Sequence, residues 1–267
     1  MRYLVLAIVL WSGVQAAVAQ DAAMVGLQTA DDARGWDAVG KLMLGDRGFC
    51  TGALIAPQLV LTAAHCLYDK ATGVQMRAED IQFYAGWRNG RAVAYRSVRR
   101  AMTHPDYRYT GSAALERVTS DLALLELNQP IRLPSLTPFE TDVSPKEGDI
   151  VSVVSYAQDR SEVPSIQEMC EVLAARSDTL VLSCSVDFGS SGAPVFLVRD
   201  GVVRVVSVIS AKAEVEGRKV ALAVPLAAPL AVLMAALVDT SGAARTKENG
   251  VSLLSGGQES GAKFVKP

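Results

Sequence analysis

A serine hydroxyl attacks an amide only when a neighbouring base takes its proton, a carboxylate fixes the tautomer of that base, and N–H donors receive the oxyanion that develops. Each part has a candidate in this chain. Ser191 lies in Gly189-Ser190-Ser191-Gly192, where the flanking glycines permit a tight turn that exposes the hydroxyl and leaves backbone amides free to converge. The chain has only two histidines, His65 and His104. His65 follows the apolar run 59–63 and precedes Cys66, which restrains its backbone, and it is the better general base. Asp121 opens the apolar run 122–127, so its carboxylate falls at a strand end beside buried surface and needs a hydrogen-bonding partner there. Asp106 and Asp80 are weaker alternatives.

Three segments together carry a family likeness. Cys50-Thr51-Gly52-Ala53-Leu54-Ile55-Ala56-Pro57, continued by Leu59-Val60-Leu61-Thr62-Ala63-Ala64-His65-Cys66, resembles the histidine segment of the trypsin/chymotrypsin-like serine proteases. Ser120-Asp121-Leu122-Ala123-Leu124-Leu125-Glu126-Leu127 and then Phe188-Gly189-Ser190-Ser191-Gly192-Ala193-Pro194 follow in that family's chain order of His, Asp and Ser. The pattern is similar to bacterial trypsin-like and glutamyl-endopeptidase-like members. The resemblance implies a serine endopeptidase acting on proteins or peptides, in which His65 takes the Ser191 proton and Asp121 orients the imidazole. It implies that the amides of Gly189 and Ser191 form the oxyanion hole, that Ser185 floors the primary pocket, and that Ser210, Ala211 and Lys212 meet the substrate. His104, in Thr103-His104-Pro105-Asp106-Tyr107, resembles a structural loop of the family. No metal or organic cofactor is implied.

Two positions depart from the pattern. Many animal members carry an aspartate just before the nucleophile and pair it with a newly cut N-terminus; here that position is Ser190, which cannot form an ion pair. We expect the site to assemble without such pairing, through local hydrogen bonds of Ser190 or Asp187. Lys212 stands where glycine is common and either narrows the pocket or favours an acidic side chain; Asp187 is a further candidate for reading charge.

The elements that must position these residues are short and β-rich. Runs at 39–44, 49–56, 59–63, 81–85, 92–98 and 122–127 are separated by turn-forming residues, and a second set follows at 150–156, 166–172, 179–184, 194–198, 202–209 and 220–224. The reading is an all-β fold of two tandem six-stranded antiparallel β-barrels, chymotrypsin-like, covering about 36–128 and 149–225 within a domain of 36–238. Asp200-Gly201 marks a tight hairpin. Leu226, Leu230, Leu233 and Leu237 recur at helical spacing, which predicts a C-terminal α-helix over 226–238 packed on the second barrel and stopped at Ser241-Gly242.

Residues 1–19 combine Arg2, an apolar run from Leu4 to Trp11 and the small-residue ending Ala17-Val18-Ala19, the pattern of a cleaved secretory leader. The apolar run is shorter than the roughly 20 residues a membrane span requires. Residues 20–35 read as an N-terminal segment, and 239–267, rich in Gly, Ser and charge, as a flexible tail. The product expected is a monomer, secreted or periplasmic. Twenty-six basic and 28 acidic residues leave a formal charge of −2, which gives no support to a nucleic-acid partner or a polybasic membrane patch.

Four cysteines in an exported chain point to two disulfides, with three connectivities open to sequence. Cys50–Cys66 and Cys170–Cys184 are favoured, since both close short loops worth about 3 kcal/mol each in the loop-entropy account. No C-x-x-C pair suggests a zinc or thioredoxin-type site. Two other readings use the same residues: a catalytically silent homologue that binds a partner in its cleft, and a hydrolase of esters or small amides.

Overall fold

Strand alternation explains why two barrels form and why they adhere. The computed structural model describes residues 23–111, 118–142, 144–215 and 217–248, with the backbone alone described for 239–248. A two-residue strand, β1 (Val25–Gly26), precedes β2 (Val39–Leu44), β3 (Phe49–Ala56), β4 (Leu59–Thr62), β5 (Ile81–Ala85), β6 (Ala94–Thr103) and β7 (Ala123–Leu127). The last six close into a barrel in the spatial order β2-β3-β4-β7-β6-β5, filled by fully buried side chains such as Leu42, Leu54, Leu61, Phe83 and Leu125.

The second barrel follows β8 (Glu140–Thr141) and comprises β9 (Ile150–Ala157), β10 (Arg160–Ala175), β11 (Leu180–Leu182), β12 (Pro194–Arg199), β13 (Val202–Val215) and β14 (Arg218–Pro225). Its order is β9-β10-β11-β14-β13-β12, and pairing of β12 with β9 closes it; β1 hangs on β10 and β8 runs parallel to β13. On β9, β12 and β14, successive residues point to opposite faces. Val151, Val153, Val195, Ala221 and Ala223 fill this barrel together with Cys170 and Cys184. Their alternates Val154, Tyr156, Phe196, Leu222 and Val224 join a core continuous with the first barrel. Both faces of these strands are therefore apolar, one for the barrel and one for the seam.

Strands β10 and β13 run well past the expected 166–172 and 202–209. Their extensions are polar, for instance Arg160-Ser161-Glu162 and Lys212 to Glu214, and antiparallel backbone pairing with β9 and β14 rather than an apolar face holds them. The connection 129–148, which reads as a polar stretch, also contributes to the core. Ile131, Leu136 and Phe139 are buried, and Phe139 stacks edge-on against Phe196 with ring centroids 4.7 Å apart. Asp200 and Gly201 both take positive φ, 52° and 74°, as the hairpin requires.

The C-terminal helix, α1 (Ala227–Glu248), differs from expectation in two ways. It continues through Ser241-Gly242 to Glu248: a helical glycine costs about 1 kcal/mol relative to alanine, and the surrounding Ala243, Ala244, Arg245, Lys247 and Glu248 are good helix formers. The helix also does not rest on the second barrel alone. It leaves that barrel where the Leu226 amide donates to the Val206 carbonyl, and the Arg100 guanidinium of β6 in the first barrel reaches the Leu237 carbonyl at 3.5 Å. Its buried leucines, 230 and 233, and Leu226 just before it belong to the core shared with the first barrel. The expected leader, 1–19, and residues 249–267 of the expected tail lie outside the described residues.

His104 takes the structural place expected of it. It is buried at the turn after β6, its amide donates to the Leu122 carbonyl at 2.9 Å, and its Nδ1 accepts from the Asp106 amide at 3.3 Å. Burial holds the imidazole below the usual histidine range, opposed more weakly by the Asp106 carboxylate. Because the folded state disfavours the proton, this stability is fully present above the ordinary value of 6.5 and is lost as pH falls below it toward the folded value. The thermal midpoint should therefore drop between about pH 7 and pH 5, and His104→Asn, whose Oδ1 replaces the Nδ1 acceptor, should flatten that slope in calorimetry.

Candidate active site

His65 stands on a single 3-10 turn, Ala64–Leu67, that leaves β4. Ala63, Ala64 and Leu67 are fully buried, and Cys66 is joined to Cys50 of β3, so the turn is pinned on both sides. Asp121 precedes β7 and is itself fully buried. Its Oδ1 accepts the His65 backbone amide at 2.7 Å, its Oδ2 accepts from His65 Nδ1 at 2.7 Å, and the Ser210 hydroxyl of β13 donates to the same Oδ2. With Nδ1–H committed to Asp121, His65 Nε2 carries the free lone pair. Asp106 and Asp80 do not bond to the His65 ring.

Ser191 occupies the turn between Cys184 and β12. Gly189 has φ 98° and Gly192 φ 79°, conformations that L side chains rarely adopt. A methyl group at Gly189 would press on the Phe49 ring and one at Gly192 on Thr62 Oγ1 and the Thr51 carbonyl. The turn is stitched to the first barrel by Thr51: its amide donates to the Ser191 carbonyl at 2.9 Å, and its hydroxyl donates to the Gly189 carbonyl at 2.8 Å while accepting the Tyr156 amide at 3.1 Å. Among the described residues the amides of Gly189 and Ser191 have no protein acceptor. Ser191 and His65 line one cleft of ≈ 430 Å³ without a direct hydrogen bond between them.

Ser185, Ser210, Ala211 and Lys212 fall at this cleft or at the larger cavity of ≈ 650 Å³ beside it. Ser185 is exposed on the wall of the larger cavity, its amide donating to Gln167 Oε1 at 2.7 Å. Ser210 serves Asp121 as well as facing the cleft. Lys212 and Asp187 border both cavities and pair with each other at 2.8 Å, and the ammonium lies 4.2 Å above the Phe188 ring. The hydrogen bond from Lys212, aided by the Phe188 amide, holds the Asp187 carboxyl below the usual range. Both side chains are about half exposed, 51% and 57%, so the pair contributes no more than about 1 kcal/mol to folding. Both favoured disulfides, Cys50–Cys66 and Cys170–Cys184, are formed.

Sequence reasoning missed Thr51 and Arg160. Thr51 lies inside the histidine segment, where its neighbours Cys50 and Gly52 were informative and a threonine on a strand was not. Arg160 opens β10 just after a polar turn, and its side chain acquires meaning only from what the β9–β10 hairpin places beside it.

Two closed antiparallel six-stranded barrels, with an Asp–His pair and a serine turn at their seam, constitute a chymotrypsin-like fold. The chain belongs to the Trypsin family, whose pattern matches residues 24–231. It is 28% identical over 152 residues to a glutamyl endopeptidase of Bacillus licheniformis, covering 56% of this chain and 45% of that one. It is 34% identical over 101 residues to a trypsin of Phaedon cochleariae, covering 37% and 35%. The matched stretches thus span less than half the length of these relatives. Among solved structures, a Glu endopeptidase in complex with MPD superposes with a TM-score of 0.64 at 18% identity, covering 86% of this chain and 100% of that one. A thermostable serine protease from an extremophilic microorganism gives 0.56 at 19%, covering 73% and 93%.

Thr51→Val keeps the shape and removes the bridging hydroxyl, leaving the buried Tyr156 amide unpaired. Stability should fall by about 1–3 kcal/mol in urea unfolding, and the Ser191 turn should loosen, read as slower reaction of Ser191 with a fluorophosphonate.

Proposed function

We propose that this chain is an exported serine endopeptidase that cleaves protein or peptide substrates through a Ser191–His65–Asp121 triad and an acyl-enzyme. The observation that carries the proposal is the buried Asp121 carboxylate fixing His65 by two hydrogen bonds, with His65 and Ser191 on one cleft. His65 Nε2 takes the Ser191 proton as Oγ attacks the substrate carbonyl. The oxyanion accepts from the amides of Gly189 and Ser191, both of which lack protein acceptors. Imidazolium then returns the proton to the leaving amine, and a water activated by the same base hydrolyses the ester. Asp121 stabilises the imidazolium without itself taking the proton.

The substrate backbone pairs with the strand edge at Ser210 to Lys212, a β-augmentation mode of recognition. The side chain preceding the scissile bond then meets Lys212, whose ammonium exchanges Asp187 for a substrate carboxylate. Lys212 and the glutamyl endopeptidase among the relatives support an acidic residue at that position as the first substrate class to test. The leader-like residues 1–19 and the two disulfides support export. Among the described residues no helix is long and apolar enough to cross a membrane.

Fluorophosphonate treatment of the purified mature chain should label Ser191, mapped by mass spectrometry, and Ser191→Ala should lower kcat by about 10⁶-fold. Absence of labelling would favour a silent binding homologue. On a peptide panel varied at the residue before the scissile bond, Glu and Asp should be preferred, and Lys212→Ala should erase the preference. Cleavage independent of charge, or of esters alone, would remove the acidic-substrate or peptidase assignment respectively.

A further inference from the structure

The Ser191 turn is tied down from the second barrel as well as the first, through a residue that the proposed chemistry leaves unused. Ser190 is fully buried. Its hydroxyl accepts from the Asp187 amide at 3.4 Å and from Arg160 Nη2 at 3.3 Å, and lies 3.3 Å from both Ser155 Oγ and the Tyr156 carbonyl, either of which takes its proton. Arg160 reaches this point from the start of β10 and is largely buried, its side chain 18% exposed. Nη1 donates to the Ser155 carbonyl at 2.6 Å and Nη2 to Ser155 Oγ at 3.1 Å. Its nearest carboxylate, Asp159, stays 3.9 Å from Nε, so neutral dipoles of β9 and of the serine turn replace most of its hydration.

A guanidinium in this position is sensitive to where those dipoles sit. Burial already disfavours its charge, with Asp159 and Asp187 compensating in part. A turn that swings Ser190 outward would leave a desolvated cation short of an acceptor, a costly state. The planar fork spans Ser155 and Ser190 at once, which an ammonium cannot do in the same geometry. Gly189 and Ser191 flank Ser190, so fixing the Ser190 hydroxyl fixes the direction of both adjacent amides.

We propose that Arg160 is a positioning residue that locks the Ser191 turn in its reactive shape by binding Ser155 and Ser190 together, an internal clamp that makes the site independent of any newly cut N-terminus. The inference rests on the reading of Ser191 as nucleophile.

The test is the fluorophosphonate labelling rate at Ser191, with kcat and KM on one peptide, for the full mature chain and its variants. Wild-type labelling at Ser191 establishes the nucleophile first; without it that reading falls, and this one with it. Given labelling, Arg160→Gln should lower the labelling rate and kcat by about tenfold or more, with KM nearly unchanged, as expected for loss of transition-state positioning. Arg160→Gln combined with Ser190→Ala should lose little beyond the larger single effect, because both remove one contact. Millimolar methylguanidinium should restore part of the rate to Arg160→Ala. Should these variants not fold, Arg160→Lys, which keeps the charge without the fork, should fold and label at an intermediate rate. Wild-type labelling by Arg160→Gln or by Arg160→Lys, independent additive losses, or activity appearing only after cleavage before Met24 or Val25 would each overturn the clamp while leaving Ser191 as nucleophile.

Discussion

A carboxylate with no solvent exposure has to find its hydrogen bonds within the protein, and Asp121 finds three, drawn from both barrels. Two come from the His65 turn of the first barrel and one from Ser210 on a strand of the second. Removing any donor would leave a buried charge undersatisfied, at a cost of several kcal/mol. The two barrels are thus held in one relative placement by the same group that orients the imidazole.

Other seam contacts follow that arrangement. Thr51 joins β3 to both Gly189 and Tyr156, and the Tyr156 hydroxyl donates to the Trp87 carbonyl of the first barrel at 2.8 Å. Lys41, buried between the Phe49 and Trp87 rings at 4.5 and 5.4 Å, donates to the Ser161 carbonyl at 3.1 Å. Phe49 in turn occupies the space a side chain at Gly189 would need. The apolar seam supplies most of the burial, while these directional bonds decide how the barrels are rotated.

Much of the architecture was legible because strands buried on one or both faces leave period-two or continuous apolar runs. Three strands, β2, β3 and β5, have the bounds their sequence suggests. The polar extensions of β10 and β13 carry no such signal, since backbone pairing alone supports them. Phe139 was hidden in a polar connection, where one aromatic residue says nothing about what it packs against. The helix ran past Ser241-Gly242 because a single glycine is a weak stop among good helix formers.

By itself, the sequence determined the residue types able to perform acyl transfer, their order, the alternating strands and the cysteines close enough in the chain to pair. These are local properties, set by side-chain chemistry and by backbone periodicity over a few residues. Only the tertiary structure decided that Asp121 faces His65 rather than solvent, that Lys212 is already paired with Asp187, and that Thr51 and Arg160 grip the serine turn from opposite barrels. Those facts join residues 56, 25, 138 and 30 positions apart. No local pattern encodes such distances, because they are fixed by how two closed sheets dock.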